Sequence, residues 1–255
     1  MPNPDGKQRV LVTAGAAGIG LAVAERFLDA GAQVMVCDID ENALDTASPD
    51  LATVYCDVAD AIAVADLFEK MRVEFGGLDV LVNNAGIGGG QAAIEDVTDT
   101  AWQRTLDVNL SGMFHCLRAA VPGMKAQGSG SVINISTASV RTGLPGRMPY
   151  VASKAGVMGL TQNAARELGP DNIRCNAILP GLIDNERGRI LITERAKEHG
   201  ISADKAEEDY LKYVSLRCWI EPAEVGDLAV YLASDKARHI SGQFIAVDGH
   251  MEWES

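Results

Sequence analysis

Short apolar runs bounded by turn residues recur along the chain: RVLVT at 9–13, QVMVCD at 33–38, ATVYC at 52–56, VLVNNAG at 80–86, SVINIS at 131–136, IRCNAIL at 173–179 and QFIAVDG at 243–249. Between them lie longer stretches with helical periodicity: GLAVAERFLDAG at 20–31, AVADLFEKMRVEFG at 63–76, the segment 102–128, and YVASKAGVMGLTQNAARELG at 150–169. Runs this continuously apolar suit strands buried on both faces. Strand alternating with helix predicts an α/β fold, a doubly wound (Rossmann) sheet of about seven parallel strands with helices on both faces. In such sheets ligands bind beyond the carboxyl ends of the strands, so the residues after each strand carry the functional reading.

The chain has 255 residues, and no linker, repeat or low-complexity stretch divides it, so residues 1–255 are expected to form one domain. Hydrophobic residues make up 47% but aromatics only 5%, which points to a core of Ala, Val, Leu and Ile. The net charge of −13 disfavours nucleic acid and acidic membrane surfaces as partners. No apolar run reaches signal-peptide or bilayer-spanning length. The five cysteines, Cys37, Cys56, Cys116, Cys175 and Cys218, lack metal or redox spacing and read as small buried thiols. A cytoplasmic protein is the expectation.

Two constellations carry chemistry. The first strand runs into TAGAAGIG, where Gly15, Ala17, Gly18, Ile19 and Gly20 are expected to bring backbone against a pyrophosphate at a helix N-terminus. Asp38 closes the next strand. A carboxylate there accepts from a ribose 2′-OH and repels a 2′-phosphate, so NAD is expected rather than NADP. The second constellation is NISTASVRTGLPGRMPYVASK at 134–154. Tyr150 and Lys154 are one helical turn apart, and an ammonium beside a phenol favours the phenolate needed for proton transfer. Ser136, Thr137, Ser139 and Thr142 are the hydroxyls available as partners.

Taken in order, TAGAAGIG, CDV at 56–58, NNAG at 83–86, VNLSG around Asn109, YVASK, LPG at 179–181 and SGQFIAVDG resemble the short-chain dehydrogenase/reductase family over nearly the whole chain. The resemblance implies that Asp57 and Val58 flank the adenine, that Asn84, Ala85 and Gly86 line the cofactor, and that Pro180, Gly181 and Ile183 approach the nicotinamide carboxamide. It implies that Lys154 also holds the nicotinamide ribose and that Asn109 anchors a water beside the lysine. The family places a serine thirteen residues before its tyrosine; here that position is Thr137, with Ser139 an auxiliary donor to substrate and Ser136 turned away. Ala14 replaces the first glycine of the family's turn, with a slightly reshaped turn as the expectation, and Asn185 stands where the family often has Thr. The implied activity is an NAD-dependent dehydrogenase acting on a secondary alcohol, or on its ketone in reverse, in a homotetramer. An NADPH-linked ketone reductase and a non-catalytic nucleotide-sensing protein are the other readings.

Around the expected substrate, the glycines after the fourth strand predict a mobile, shallow wall at 88–91. Mixed helical periodicity and charge predict a helical lid at about 184–220. Arg141, Arg147, Arg187 and Arg189 read first as solvated charges and second as a grip for carboxylate or phosphate. His115 reads as a helix residue and His199 as surface, with no metal constellation around either. The C-terminal Met251 and Trp253 are expected to pack against a neighbouring subunit, on the resemblance alone.

Overall fold

A computed structural model describes residues 6–252; Trp253, assigned above to a subunit contact, lies outside them. The seven expected strands are present: β1 (Arg9–Thr13), β2 (Gln33–Asp38), β3 (Ala52–Tyr55), β4 (Val80–Asn83), β5 (Gly130–Ile135), β6 (Ile173–Pro180) and β7 (Phe244–Val247). They form one all-parallel sheet in the order β3-β2-β1-β4-β5-β6-β7.

The helices are α1 (Gly18–Asp29), α2 (Glu41–Asp45), α3 (Ala61–Phe75), α4 (Asp99–Leu106), α5 (Gly112–Gln127), α6 (Ser139–Thr142), α7 (Met148–Leu168), α8 (Glu186–His199), α9 (Ala203–Leu211) and α10 (Pro222–Ala233). Alternate residues of each strand point to opposite faces, so β1 divides its side chains between two cores. Val10 and Val12 pack with Phe27 of α1 and Val225 of α10, whereas Leu11 packs with Leu67 of α3 and Cys116 and Met124 of α5. Each fully buried side chain of this kind contributes about 1.5–3 kcal/mol, which holds the helices more firmly than their intrinsic propensities do. Cys37, Cys56, Cys116 and Cys175 are buried and Cys218 half-buried, all as free thiols.

The segment 102–128 departs from one continuous helix. Between α4 and α5 the chain makes a π-helical turn at Asp107–Ser111, which includes Asn109. Met251 also departs from expectation: it is buried within its own chain, bridged to Val214 and packed in the cluster of Ile192 and Tyr210.

The order of strands reverses between β1 and β4, and the chain leaves those neighbours toward opposite faces. At the amino edge the pair is clamped by Arg9, whose Nε and Nη2 donate to Asp79 at 2.8 and 2.7 Å. At the carboxyl edge Thr13 Oγ1 accepts from the backbone N–H of both Asn84 and Ala85 at 3.0 Å. The Asn84 amide returns two bonds, to the carbonyls of Thr13 (3.1 Å) and Ala14 (3.0 Å).

Thr13→Val keeps the shape and removes the acceptor, leaving two backbone donors unmet at a buried position. A loss of about 3 kcal/mol is expected, read from the urea midpoint at unchanged m-value. A loss under about 1 kcal/mol would remove the Thr13 hydroxyl from this role.

Candidate active site

The glycine turn shows three different needs. A Cβ on Gly15 would lie 2.7 Å from Val36 Cγ1, and one on Gly20 would collide with the Ala14 carbonyl oxygen, so these two permit close packing. Gly18 is the one that faces open space: its φ is +56° and the nearest atom to a Cβ would be Asn185 Nδ2, 4.0 Å away. Backbone there is free to approach a ligand. Ala14 itself takes φ +50°, a left-handed conformation that costs an alanine more than a glycine.

A cleft of about 800 Å³ runs along the carboxyl edge. It collects Ala17, Gly18, Ile19, Asp38, Asn84, Gly86, Thr137, Ser139, Tyr150, Lys154, Pro180, Gly181 and Ile183 from the sequence reading. Gly15, Gly20, Asp57, Val58, Ala85 and Asn109 do not line it. Asp57 pairs with Arg104 at 3.0 Å and accepts from Ala59 N, while Val58 is buried with its carbonyl 3.1 Å from His115 Nδ1.

Asp38 is held at one end of the cleft. Its Oδ1 accepts from Ile39 N at 2.8 Å and Asp40 N at 3.3 Å, and its Oδ2 from Ala16 N at 3.3 Å. The carboxylate therefore stays beside the glycine turn, with a fixed negative charge at its mouth.

At the other end, α7 carries Tyr150, half-buried, and Lys154, fully buried. The Lys154 Nζ donates to Ile135 O at 2.7 Å. Burial, and then the positive charge of Arg187, pull this amine down to about 7. Ser136, expected to turn away, borders the cleft, with its hydroxyl donating to Lys154 O at 2.9 Å. Thr137 Oγ1 accepts from Ser139 N at 3.2 Å and lies 3.3 Å from Ser139 Oγ, so the two expected hydroxyls share one site.

Behind them, the π-turn sends Asn109 into the interior. Its Oδ1 accepts from Ile87 N at 2.7 Å, and its Nδ2 donates to Ile87 O at 2.9 Å and Ser153 Oγ at 3.0 Å. Asn109 Oδ1 and Lys154 Nζ converge on Gly86, within 3.3 and 3.2 Å of where a Cβ would stand. Ser153, which the sequence reading did not single out, completes this arrangement.

The expected lid region is helical, with α8 and α9 bordering the cleft. Asn185 caps α8, its Oδ1 accepting from Gly188 N at 2.9 Å. Tyr210 of α9, also missed, lines the cleft beside Tyr150, and burial pushes its phenol up to about 12. The four arginines separate. Arg189 is structural: it pairs with Asp184 and Glu207 and stacks 4.0 Å from the Trp219 ring centroid. Arg141 is exposed on α6, while Arg147 and Arg187 line the cleft.

A doubly wound parallel sheet with a glycine turn at its strand-order reversal is the architecture of dinucleotide-binding enzymes. The chain belongs to the short-chain dehydrogenase/reductase family and is an oxidoreductase. Residues 14–251 match the family model described as enoyl-(acyl carrier protein) reductase. The chain is 36% identical over 246 residues to 3-oxoacyl-[acyl-carrier-protein] reductase FabG of Thermotoga maritima, covering 94% of this chain and 95% of that one. Among solved structures it resembles a single-substitution variant of actinorhodin polyketide ketoreductase with NADPH (TM-score 0.91, 29% identity, 98% of both chains). It also resembles NAD+-bound xylitol dehydrogenase (TM-score 0.90, 28% identity, 95% of this chain and 98% of that one).

A depressed Lys154 pKa makes the buried ammonium a cost to folding. Below pH 7 the lysine is charged in both folded and unfolded chains and the cost is complete. Between pH 7 and about 10.5 the unfolded chain binds the extra proton, so wild-type stability rises with pH. Lys154→Met should therefore stabilise the nucleotide-free protein by on the order of 3 kcal/mol at pH 6, net of the lost bond to Ile135 O, with the gain fading toward pH 10. Denaturation at the two pH values tests this; a pH-independent difference would mean that Lys154 titrates normally.

Proposed function

We propose that the protein transfers a hydride between NAD and a secondary alcohol or its ketone, with Tyr150, Lys154, Thr137 and Asn109 serving the proton. The carrying observation is the convergence of Tyr150, Lys154 and Thr137 in one cleft whose far end presents Gly18 and Asp38.

The cleft fits the cofactor. Gly18 offers unobstructed backbone for the pyrophosphate, Asp38 an anchored acceptor for the ribose hydroxyls, and Gly86 a floor that a side chain would fill beside Lys154. Bound NAD supplies the hydride acceptor. Tyr150 takes the hydroxyl proton of the alcohol as the carbonyl forms, and returns it in the reverse direction. Lys154 stabilises the phenolate when it holds its own proton. Thr137 accepts from Ser139 N and donates to Ser139 Oγ at a long 3.3 Å, and a rotation of its hydroxyl turns that proton to the substrate oxygen. Asn109 sets the position of the 87–88 backbone and of Ser153 behind the lysine.

An NADPH-linked ketone reductase is the second reading, favoured by likeness to the NADPH-bound ketoreductase. Asp38 opposes it, because a carboxylate held by three backbone N–H groups cannot swing away from a 2′-phosphate at little cost.

NAD should bind at least about tenfold more tightly than NADP, and Asp38→Ala should shrink that ratio while weakening NAD. Equal affinities in fluorescence titrations would take Asp38 out of this role.

Tyr150→Phe should abolish turnover and leave NAD binding near normal. Thr137→Val should lower kcat about a hundredfold by deleting a donor that strengthens in the transition state, whereas Thr137→Ser should retain most activity. Should Ser139→Ala be crippling and Thr137→Val mild, the proton path runs through Ser139.

A further inference from the structure

Arg147 at the start of α7 and Arg187 at the start of α8 meet over Gly88. The Nη1 of the first and the Nη2 of the second each lie 3.1 Å from the point where a Gly88 Cβ would stand, so their separation is at most twice that distance. Arg147 is largely covered, with its side chain 20% exposed; it donates to Gly90 O at 3.2 Å and meets Glu194 only at 3.6 Å. Arg187 makes no ion pair among the described residues and reaches only Gly86 O, at a long 3.5 Å. Arg189, two residues on, shows what a satisfied arginine looks like on this helix, with two carboxylates and an indole.

Two guanidinium groups brought together without a shared carboxylate repel one another, and the chain as a whole has acidic groups to spare. Glu186 and Glu194 also line the cleft, but Glu194 meets Arg147 only at 3.6 Å and neither forms an ion pair with Arg187 among the described residues. What fits between two forked donors is a planar anion that accepts from both.

We propose that Arg147 and Arg187 form the specificity site of this enzyme for an anionic substrate, and that the substrate is a hydroxy acid (or the matching keto acid) whose carboxylate they hold. The inference rests on the hydride-transfer reading, since Tyr150 and Thr137 must meet the hydroxyl carbon. It adds a direction: the carboxylate lies toward Gly88 and α8, the hydroxyl toward α7. The charge of Arg187 also bears on Lys154, and a carboxylate on Arg187 offsets its repulsion of that ammonium. Substrate binding then favours the protonated lysine that Tyr150 needs.

The test uses 3-hydroxybutanoate and its methyl ester, which differ in charge and little in shape. With saturating NAD, the wild type should favour the acid by about thirtyfold or more in kcat/KM. Arg187→Leu and Arg147→Leu should each erase most of that preference, chiefly through KM, and Arg187→Lys should restore part of it. Arg141→Leu, outside the cleft, should retain the preference. An ester used as well as the acid by wild type overturns the proposal, as does an equal loss on both substrates in the variants. A tenfold weakening of NAD itself in Arg187→Leu also overturns it, assigning that arginine to the cofactor phosphates. Calorimetry of 3-hydroxybutanoate on NAD-loaded Tyr150→Phe separates this from the hydride-transfer reading. Binding lost with Arg187 there supports the anion site even if no alcohol is ever oxidised, and absence of binding overturns it.

Discussion

The parting of β1 from β4 is the constraint on which the rest depends. Two strands paired in register, Val10 to Val80 and Val12 to Val82, must send their chains to opposite faces of the sheet at the same edge. The crevice so opened exposes the last backbone donors and acceptors of both strands. Unmet, they would either draw the walls together or cost on the order of 1–3 kcal/mol each. Thr13 and Asn84 satisfy them crosswise, each side chain serving the other's backbone, so the two strand ends are fixed relative to one another. Gly18 stands on one wall with open space before it, and Gly86 on the other, close against Lys154 and Asn109.

The sheet and the gathering of residues at its strand ends were legible because their causes are local. A continuous apolar run needs no knowledge of the fold to read as a buried strand, and Tyr150 to Lys154 is a spacing along one helix. What stayed hidden depends on partners far along the chain. The π-turn at Asp107–Ser111 cannot be seen in an apolar pattern that suits one helix across 102–128. It exists because Asn109 finds Ile87 and Ser153 to bond, across 22 and 44 residues. Arg187 and Arg189 look alike in sequence, yet only Arg189 meets Glu207 and Trp219 once α9 has folded beside α8. Ala14 is a third case: its side chain says nothing of the left-handed backbone that β1 and the following turn impose on it.

Lys154 shows how the fold carries the cost of its site. An amine held near 7 by burial is opposed by folding, yet its carbonyl partner Ile135 O and its neighbour Asn109 are supplied by β5 and the π-turn, elements already anchored by the two cores. The charge is thereby confined to a buried position, one helical turn from Tyr150. The wall formed by Asn109, Ile87 and Ser153 does not line the cleft, but it prevents the backbone around Gly86 from relaxing onto the lysine.

Charge is also arranged along the cleft. Asp38 ends β2, and Lys154 lies under the end of β5, three strand spacings or about 14 Å away. The acidic end belongs to the ribose side of the proposed nucleotide; the cationic end, with Lys154, Arg147 and Arg187, to the side where hydride moves. Uncompensated, the charge of Arg187 adds to burial in opposing protonation of Lys154, and would weaken the support proposed for a Tyr150 phenolate. A neutral alcohol leaves that conflict in place. An anionic one resolves it, because a single carboxylate between Arg147 and Arg187 lowers the local charge as the reacting hydroxyl arrives. The same groups then select the substrate and set the protonation state on which its proton transfer depends.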